Sequence, residues 1–271
     1  MCKIDLHIHT CHSDGAHTPS ALIGQLEKSG VEYASFTDHN QLTLPADSSF
    51  HKVKLVNGAE FSVSYEGKII HILGYKLSPC AELDSLIKDI NKIQSQKILK
   101  VLFYLSRENV KLDYSCLKVR HANLNEITRQ LIQKGYVANK KEAFSYYLDR
   151  ILLKINVEAA VPVENAIACI HASGGFAVLA HPMRITRNMN RINSIFSNLI
   201  ELGINGMECF YPKHTQKETS HLIEMTNNKK LIISGGSDYH GVIEDSHSID
   251  SLKGLEIPYE YRYKLIERFF V

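Results

Sequence analysis

The feature that most constrains this chain is a recurring unit: a short apolar strand that ends in an imidazole or a carboxylate and is followed by a helix. The first copy is "KIDLHIH", where Ile4, Leu6 and Ile8 alternate with Asp5, His7 and His9. Alternation of this kind marks a strand, and side chains two apart share a face, so His7 and His9 point together. "EYASFTDHN" ends in Asp38-His39, "VKLVNGAEFSV" carries Glu60, and "KIIHILGY" carries His71. "FAVLAHP" ends in His181, "NGMECFYP" follows, and "KLIISGGSDYHG" ends in Asp238 and His240. Strands that alternate with helices in this order predict an α/β fold, a parallel sheet curled into a barrel with its site at the carboxyl ends of the strands.

Between these units the punctuation is clear. Thr18-Pro19 reads as an N-cap followed by proline at the first helical position, opening a helix that stops at Gly30. Tyr65-Glu66-Gly67 falls near the turn between two strands, and Gly174-Gly175 separates a helix from the buried strand "FAVLAHP". From Asp84 the rhythm changes to long amphipathic helical stretches without metal-type clusters. The expected organisation is therefore residues 1–83 and 158–271 as the barrel, with 84–157 as a helical insertion capping the active site. The 271 residues suffice for one such domain, and a formal charge of +2 argues neither for nor against nucleic acid. The N-terminus shows no basic-then-apolar leader and no run is long enough to span a membrane, so a cytoplasmic protein without membrane contact is expected. The six cysteines are scattered with no CxxC pair and read as free thiols, mostly buried.

Histidine is over-represented, at 14 residues, and the strand-end copies define a candidate site: His7, His9, His39, Glu60, His71, His181, Asp238 and His240, with Asp14 in the loop after the first strand. Mixed nitrogen and oxygen donors without thiolate suit Mn²⁺, Zn²⁺ or Fe²⁺ rather than a structural zinc. Three carboxylates and six imidazoles are too many for one ion and about right for two or three divalent ions that share a bridging carboxylate.

The segments "DLHIHTCHSDG", "FTDHN", "GAEFS", "HILGY", "LAHP" and "GGSDYHG" resemble the PHP family, the polymerase and histidinol phosphatase superfamily. They are most similar to its stand-alone branch of nucleoside bisphosphate phosphatases and RNase AM-like exonucleases, and the resemblance runs in order along nearly the whole chain. It implies a distorted (β/α)7 barrel and phosphoester hydrolysis at a trinuclear centre. It further implies one metal on His7, His9, Glu60 and Asp238, a second on Glu60, His71 and His181, and a third on Asp14, His39 and His240. Asp38 would orient a ligand imidazole. Arg184 and His214 would meet substrate phosphate, whereas Lys213 reads as a solvated surface lysine. Clustered ions would neutralise the phosphate charge and lower the pKa of a bridging water, so attack by hydroxide is expected, with no protein nucleophile.

The branch's usual arginine-proline-histidine run in the insertion is replaced here by Leu124, Asn125 and Glu126, with Arg120 or Arg129 as possible compensation. His12, His17, His51, His121, His171, His221 and His247 are expected to be structural or solvated. The expected activity is a metal-dependent phosphoesterase acting on a small phosphorylated metabolite or the 5′ end of a short oligonucleotide, with no obligate protein partner inferred. Histidinol-phosphate phosphatase is the nearest alternative. An amidohydrolase and a non-catalytic binding module rank lower, the first because a glutamate stands where a modified lysine would bridge, the second because the ligand set is unbroken.

Overall fold

A computed structural model describes residues 2–44, 52–113, 124–155, 160–241 and 252–271. The chain forms nine strands and nine α-helices among these residues, arranged in two sheets. The first sheet holds β1 (Lys3–Ile8), β2 (Val31–Phe36) and β3 (Lys54–Leu55), all parallel. Helix α1 (Pro19–Lys28) crosses between β1 and β2, and Thr18 caps it by accepting a hydrogen bond from the Ala21 amide. Gly30, at φ 73°, turns the chain into β2 in a conformation that costs other residues energy.

The second sheet has the order β6-β4-β5-β7-β8-β9, with β4 (Gly58–Tyr65), β5 (Lys68–Tyr75), β6 (Val161–Pro162), β7 (Phe176–Leu179), β8 (Gly206–Phe210) and β9 (Ile232–Gly235). The strand-helix rhythm predicts a wholly parallel sheet, and this one is not. β5 runs antiparallel to both β4 and β7. The cause is local: Glu66 and Gly67 both take positive φ, 47° and 73°, and a two-residue loop of that hand folds the chain back on itself. The two sheets meet at isolated bridges, Ile8 with Tyr239 and His39 with Glu60, so the carboxyl ends of β1 and β2 lie against the second sheet.

Helices α6 (Val163–Ala172), α7 (Met189–Glu201) and α8 (Gln216–Asn228) pack on this sheet through a core that includes Phe61, Ile72, Ile167, Leu179, Phe196 and Leu222. Helix α9 (Tyr259–Phe270) closes a second cluster with Leu265 and Phe269 against Leu73, Tyr75 and Val178. No helix among the described residues is long and apolar enough to cross a membrane.

Helix α2 (Ala81–Arg107) has 27 residues and so is about 40 Å long. Its first half places Leu83, Leu86 and Ile90 in the main core. Its second half, Ile98 to Leu105, packs instead with α3 (Leu124–Gln133), α4 (Lys140–Ala143), a π-helical turn (Phe144–Leu148) and α5 (Asp149–Lys154) around Ile127, Leu131, Leu148 and Ile151. A separate apolar core thus begins midway along α2, and the expected boundary at residue 157 lies outside the described residues. Of the described cysteines only Cys209 is buried and Cys11 is exposed, so burial is less general than their residue type suggests. Cys116 lies outside the described residues.

Candidate metal centre

All nine strand-end and loop residues singled out above converge on one pit. β1 brings His7 and, one residue past its end, His9, both fully buried, and the loop that follows brings Asp14. Glu60 comes from β4 and His71 from β5, while His39, His181, Asp238 and His240 follow the ends of β2, β7 and β9. Two of these lie in strained backbone: His181 has φ 24° and Asp238 has φ 55°. A non-glycine residue held there is overdetermined by its surroundings, a condition found most often at functional sites. Gly236 explains the "GGSD" run. A Cβ there would stand 2.2 Å from the His7 Cβ and 2.5 Å from its backbone nitrogen.

Glu60 is the hub. Its Oε2 lies 3.4 Å from His7 Nε2, 3.2 Å from His9 Nε2 and 3.1 Å from His39 Nδ1. Its Oε1 lies 2.8 Å from His71 Nδ1 and 2.9 Å from His181 Nε2. Asp238 Oδ1 sits 3.5 Å from His7 Nε2 and 3.4 Å from His9 Nε2. On the other side, Asp14 Oδ1 is 3.3 Å from His240 Nε2 and its Oδ2 is 3.7 Å from His39 Nε2. Three groups have donor atoms close enough to share an ion: His7, His9, Glu60 and Asp238; His9, Asp14, His39 and His240; and His39, Glu60 and His71. His39 takes a place in the last group where the resemblance implies His181, although His181 faces Glu60 Oε1, the oxygen that His71 meets, whereas His39 faces Oε2.

Whether these residues fit divalent ions can be tested on atoms that the protein leaves without partners. His7 Nε2, His9 Nε2, His39 Nδ1 and Glu60 Oε2 are all buried and lack a hydrogen bond, though they face one another. Leaving such polar atoms unmatched is costly, and buried ones are nearly always satisfied. Bonds of about 2.0–2.1 Å from a tetrahedral ion would set neighbouring donors about 3.3 Å apart, close to the spacings seen. The donors fit.

The surrounding hydrogen bonds present these atoms. Glu208, on β8, accepts from His7 Nδ1 at 3.0 Å and from the His181 amide at 2.7 Å, which leaves His7 Nε2 pointing inward. His240 donates Nδ1–H to the Asp238 carbonyl at 2.8 Å, freeing Nε2. The Oδ2 of Asp238 is held by Arg184 Nη1 at 2.8 Å and the Tyr211 hydroxyl at 2.9 Å, which turns Oδ1 to the rings. Asp38 touches no ring directly. It accepts from the Thr10 amide and hydroxyl, Ser13 Oγ and Thr43 Oγ1, and it reaches an imidazole through Ser13, 3.5 Å from His9 Nδ1.

Electrostatics follow from burial opposed by charge. Burial pushes the His7 and His9 rings down, but the carboxylates around them win and hold both above the ordinary range, His9 at about 10. His39 falls to about 4, because burial outweighs its carboxylate neighbours. Glu60, Asp14 and Asp238 are held well below the usual carboxylate range despite burial, by the surrounding rings.

Arg184 lies on the rim, with its side chain about half exposed. His214 lies against Tyr211, its Nδ1 donating to the Cys209 carbonyl at 3.1 Å and its ring 5.0 Å from that of Tyr211. Its Nε2 is buried without a hydrogen bond. In the insertion, Asn125 Nδ2 approaches Asp14 Oδ2 at 3.5 Å, and Arg129 pairs with Glu126 rather than with the site. Arg120 lies outside the described residues, as do His51, His121 and His247. His12, His17, His171 and His221 meet Thr43, Tyr239, Asn205 and Asn193 and stay out of the cluster. Glu208 is the residue that sequence reasoning missed. A lone carboxylate inside the buried strand "GMECF" was its signal, because a charge there needs a partner.

Comparison with known proteins places the chain in a family. A family model described as the PHP domain matches residues 5–207. A 5′-3′ exoribonuclease of Haemophilus influenzae is 26% identical over 92% of this chain and 94% of its own length. A 3′,5′-nucleoside bisphosphate phosphatase of Chromobacterium violaceum is 24% identical over 94% of this chain and 93% of its own. Among solved structures, one from Bifidobacterium adolescentis assigned as a metal-dependent phosphoesterase superposes with a TM-score of 0.75 at 21% identity, covering 98% of this chain and 96% of that one. Another from Chromobacterium violaceum, described as an amidohydrolase with bound sulfate and no metal, also gives 0.75 at 23% identity, covering 92% of each chain. The matched span takes in every strand from the end of β1 to the start of β8, and with it the chain belongs to the PHP domain family.

Proposed function

We propose that this protein is a metal-dependent phosphoesterase, hydrolysing a phosphate monoester or a 5′-terminal phosphodiester in a nucleotide, a nucleoside bisphosphate or a short oligonucleotide. The observation that carries this reading is Glu60, whose two oxygens face five imidazoles at 2.8 to 3.4 Å. The nine residues His7, His9, Asp14, His39, Glu60, His71, His181, Asp238 and His240 would hold two or three divalent ions, with Glu60 bridging. Manganese, zinc or iron(II) suit these donors. Such ions supply Lewis acidity, neutralising the phosphoryl charge and activating water. The chain's own residues do the rest. Glu208 fixes the His7 tautomer, Asp38 anchors the loop that carries Asp14, and Arg184 presents a cation at the rim where a phosphoryl oxygen would arrive. With the two sheets bridged at Ile8–Tyr239 and His39–Glu60, the scaffold reads as the family's distorted (β/α)7 barrel.

The names of the two relatives given above support nucleotide-type substrates. The test is direct. Purified protein loaded with Mn²⁺ is assayed on 4-nitrophenyl phosphate, adenosine 3′,5′-bisphosphate, a 5′-phosphorylated dinucleotide and histidinol phosphate. Turnover of the first three that is lost in His9→Ala supports the reading. Turnover that persists in His9→Ala, or none at all with the folded wild type, overturns it.

A further inference from the structure

Away from the metal centre, a cleft of ≈ 540 Å³ opens between the end of α8, the start of β9 and one side of α9. Sites for small molecules commonly enclose about 300–1,000 Å³. The floor is apolar, with Leu231, Ile232 and Ile233 on one side and Leu265 on the other. Ile232 opens β9, whereas Asp238 and His240 follow its end, so the length of the strand, about 13 Å, separates the cleft from the metal ligands. Three cations line this floor: Lys230, Lys264 and Arg268. Lys76 stands beside them, its Nζ donating to the Arg268 carbonyl at 3.5 Å. The carboxylate among the described lining residues is Glu267, and it already accepts from the Tyr263 hydroxyl at 2.6 Å. Glu260, nearby, meets the hydroxyl of Tyr261.

Local stability accounts for only part of this arrangement. Helix α8 ends in a Schellman motif: the Lys230 amide donates to the Asn227 carbonyl at 2.9 Å and the Leu231 amide to the Thr226 carbonyl at 3.2 Å. Residue 230 takes φ 56° there, at the position where glycine is the usual occupant because a Cβ is disfavoured. A lysine therefore sits at this corner at a cost in backbone energy. On α9, Lys264 and Arg268 are four residues apart and adjacent on one face, where like charges repel. Helix dipoles favour a cation at Lys230 and Arg268, which follow or occupy last turns, but not at Lys264 in mid-helix. The guanidinium of Arg268 is aimed by the Phe176 ring, 5.5 Å away. An anion seated between the three would relieve their repulsion and give each charge a partner.

We propose that this cleft is a second binding site, which takes a nucleoside diphosphate or a molecule of that class. Its phosphates lie on Lys230, Lys264 and Arg268, and its base covers the floor formed by Leu231, Ile232, Ile233 and Leu265. Charge complementarity selects the anion, and the exposed apolar floor selects a flat body attached to it. The inference goes beyond the phosphoesterase reading and does not depend on it.

The test is calorimetric titration of the chelated full chain with adenosine 5′-diphosphate, inorganic pyrophosphate and adenosine. The nucleotide should bind at least about tenfold more tightly than either fragment. Lys230→Gly and Lys264→Gln should each weaken it about fivefold or more. The thermal midpoint of Lys230→Gly should not fall, because glycine suits that backbone conformation better. The same titration on Arg184→Ala separates phosphate capture at the metal centre, and nucleotide binding at the cleft should persist there. No binding, loss of all binding in Arg184→Ala, or binding that either lysine variant leaves unchanged would overturn the site. Pyrophosphate that binds as tightly as the nucleotide would overturn the assignment of ligand class.

Discussion

Replacing Glu208 tests how the protein presents its ligands. The carboxylate is fully buried and accepts two hydrogen bonds, from His7 Nδ1 at 3.0 Å and from the His181 amide at 2.7 Å. Glu208→Ala leaves both donors buried without an acceptor, at about 1–3 kcal/mol each, so the metal-free protein should lose about 2–6 kcal/mol of stability. For a chain of this size that is a fall of roughly 5–20 °C in the thermal midpoint. It also frees the His7 ring to turn and to change tautomer, which should weaken divalent ion binding about 10- to 100-fold. Glu208→Gln keeps one acceptor oxygen and should fall between wild type and alanine on both readouts. Calorimetric titration with Mn²⁺ and thermal scans of the chelated protein measure the two effects separately. Affinity within twofold of wild type in Glu208→Ala would refute the claim that this carboxylate orients a ligand.

Other expected outcomes follow from the same geometry. Ion uptake must expel protons from His7 and His9, both raised above the ordinary range, so apparent affinity should keep climbing with pH beyond the usual histidine range, towards about 10; a flat profile by titration would contradict the burial-and-charge account. Gly236→Ala places a methyl against the His7 backbone and should abolish ion binding while lowering the thermal midpoint, and a normal metal content would show that β1 can shift. Arg184→Ala should raise KM and lower kcat on phosphate esters while retaining bound metal, and an unchanged kcat/KM would return Arg184 to a structural role on Asp238. Chelation should destabilise the wild type by the linkage expected of a ligand bound to the native state alone, about 3 kcal/mol at a hundredfold excess over Kd, and so lower its thermal midpoint, but not that of His9→Ala.

Much of the site was legible because its residues fall at strand ends, where alternation and termination signals are local. The pairing of His7 with His9 follows from the two-residue period of β1, and the Thr18 cap and the stop at Gly30 are equally local. The turn that reverses β5 is marked in the sequence at Tyr65-Glu66-Gly67; what the strand-helix rhythm conceals is the antiparallel pairing of β5 with the distant β7, which only tertiary structure sets. Glu208 was missed because its partners, His7 and His181, are far away in sequence and meet it only through the order β7-β8-β9 and the approach of β1. The resemblance implies that Asp38 orients a ligand imidazole; its side chain turns to Thr10, Ser13 and Thr43 and meets His9 through Ser13, a link that sequence spacing does not reveal. The second core was hidden for another reason. α2 has one continuous apolar stripe, and only the tertiary structure divides it between two sets of partners.

Anomalous diffraction from crystals grown with Zn²⁺ tests the central claim most directly. The account predicts peaks inside the pit about 2.0–2.2 Å from His7, His9 and Glu60, with Glu60 touching more than one ion. A pit without anomalous signal, while zinc binds elsewhere on the surface, would contradict it.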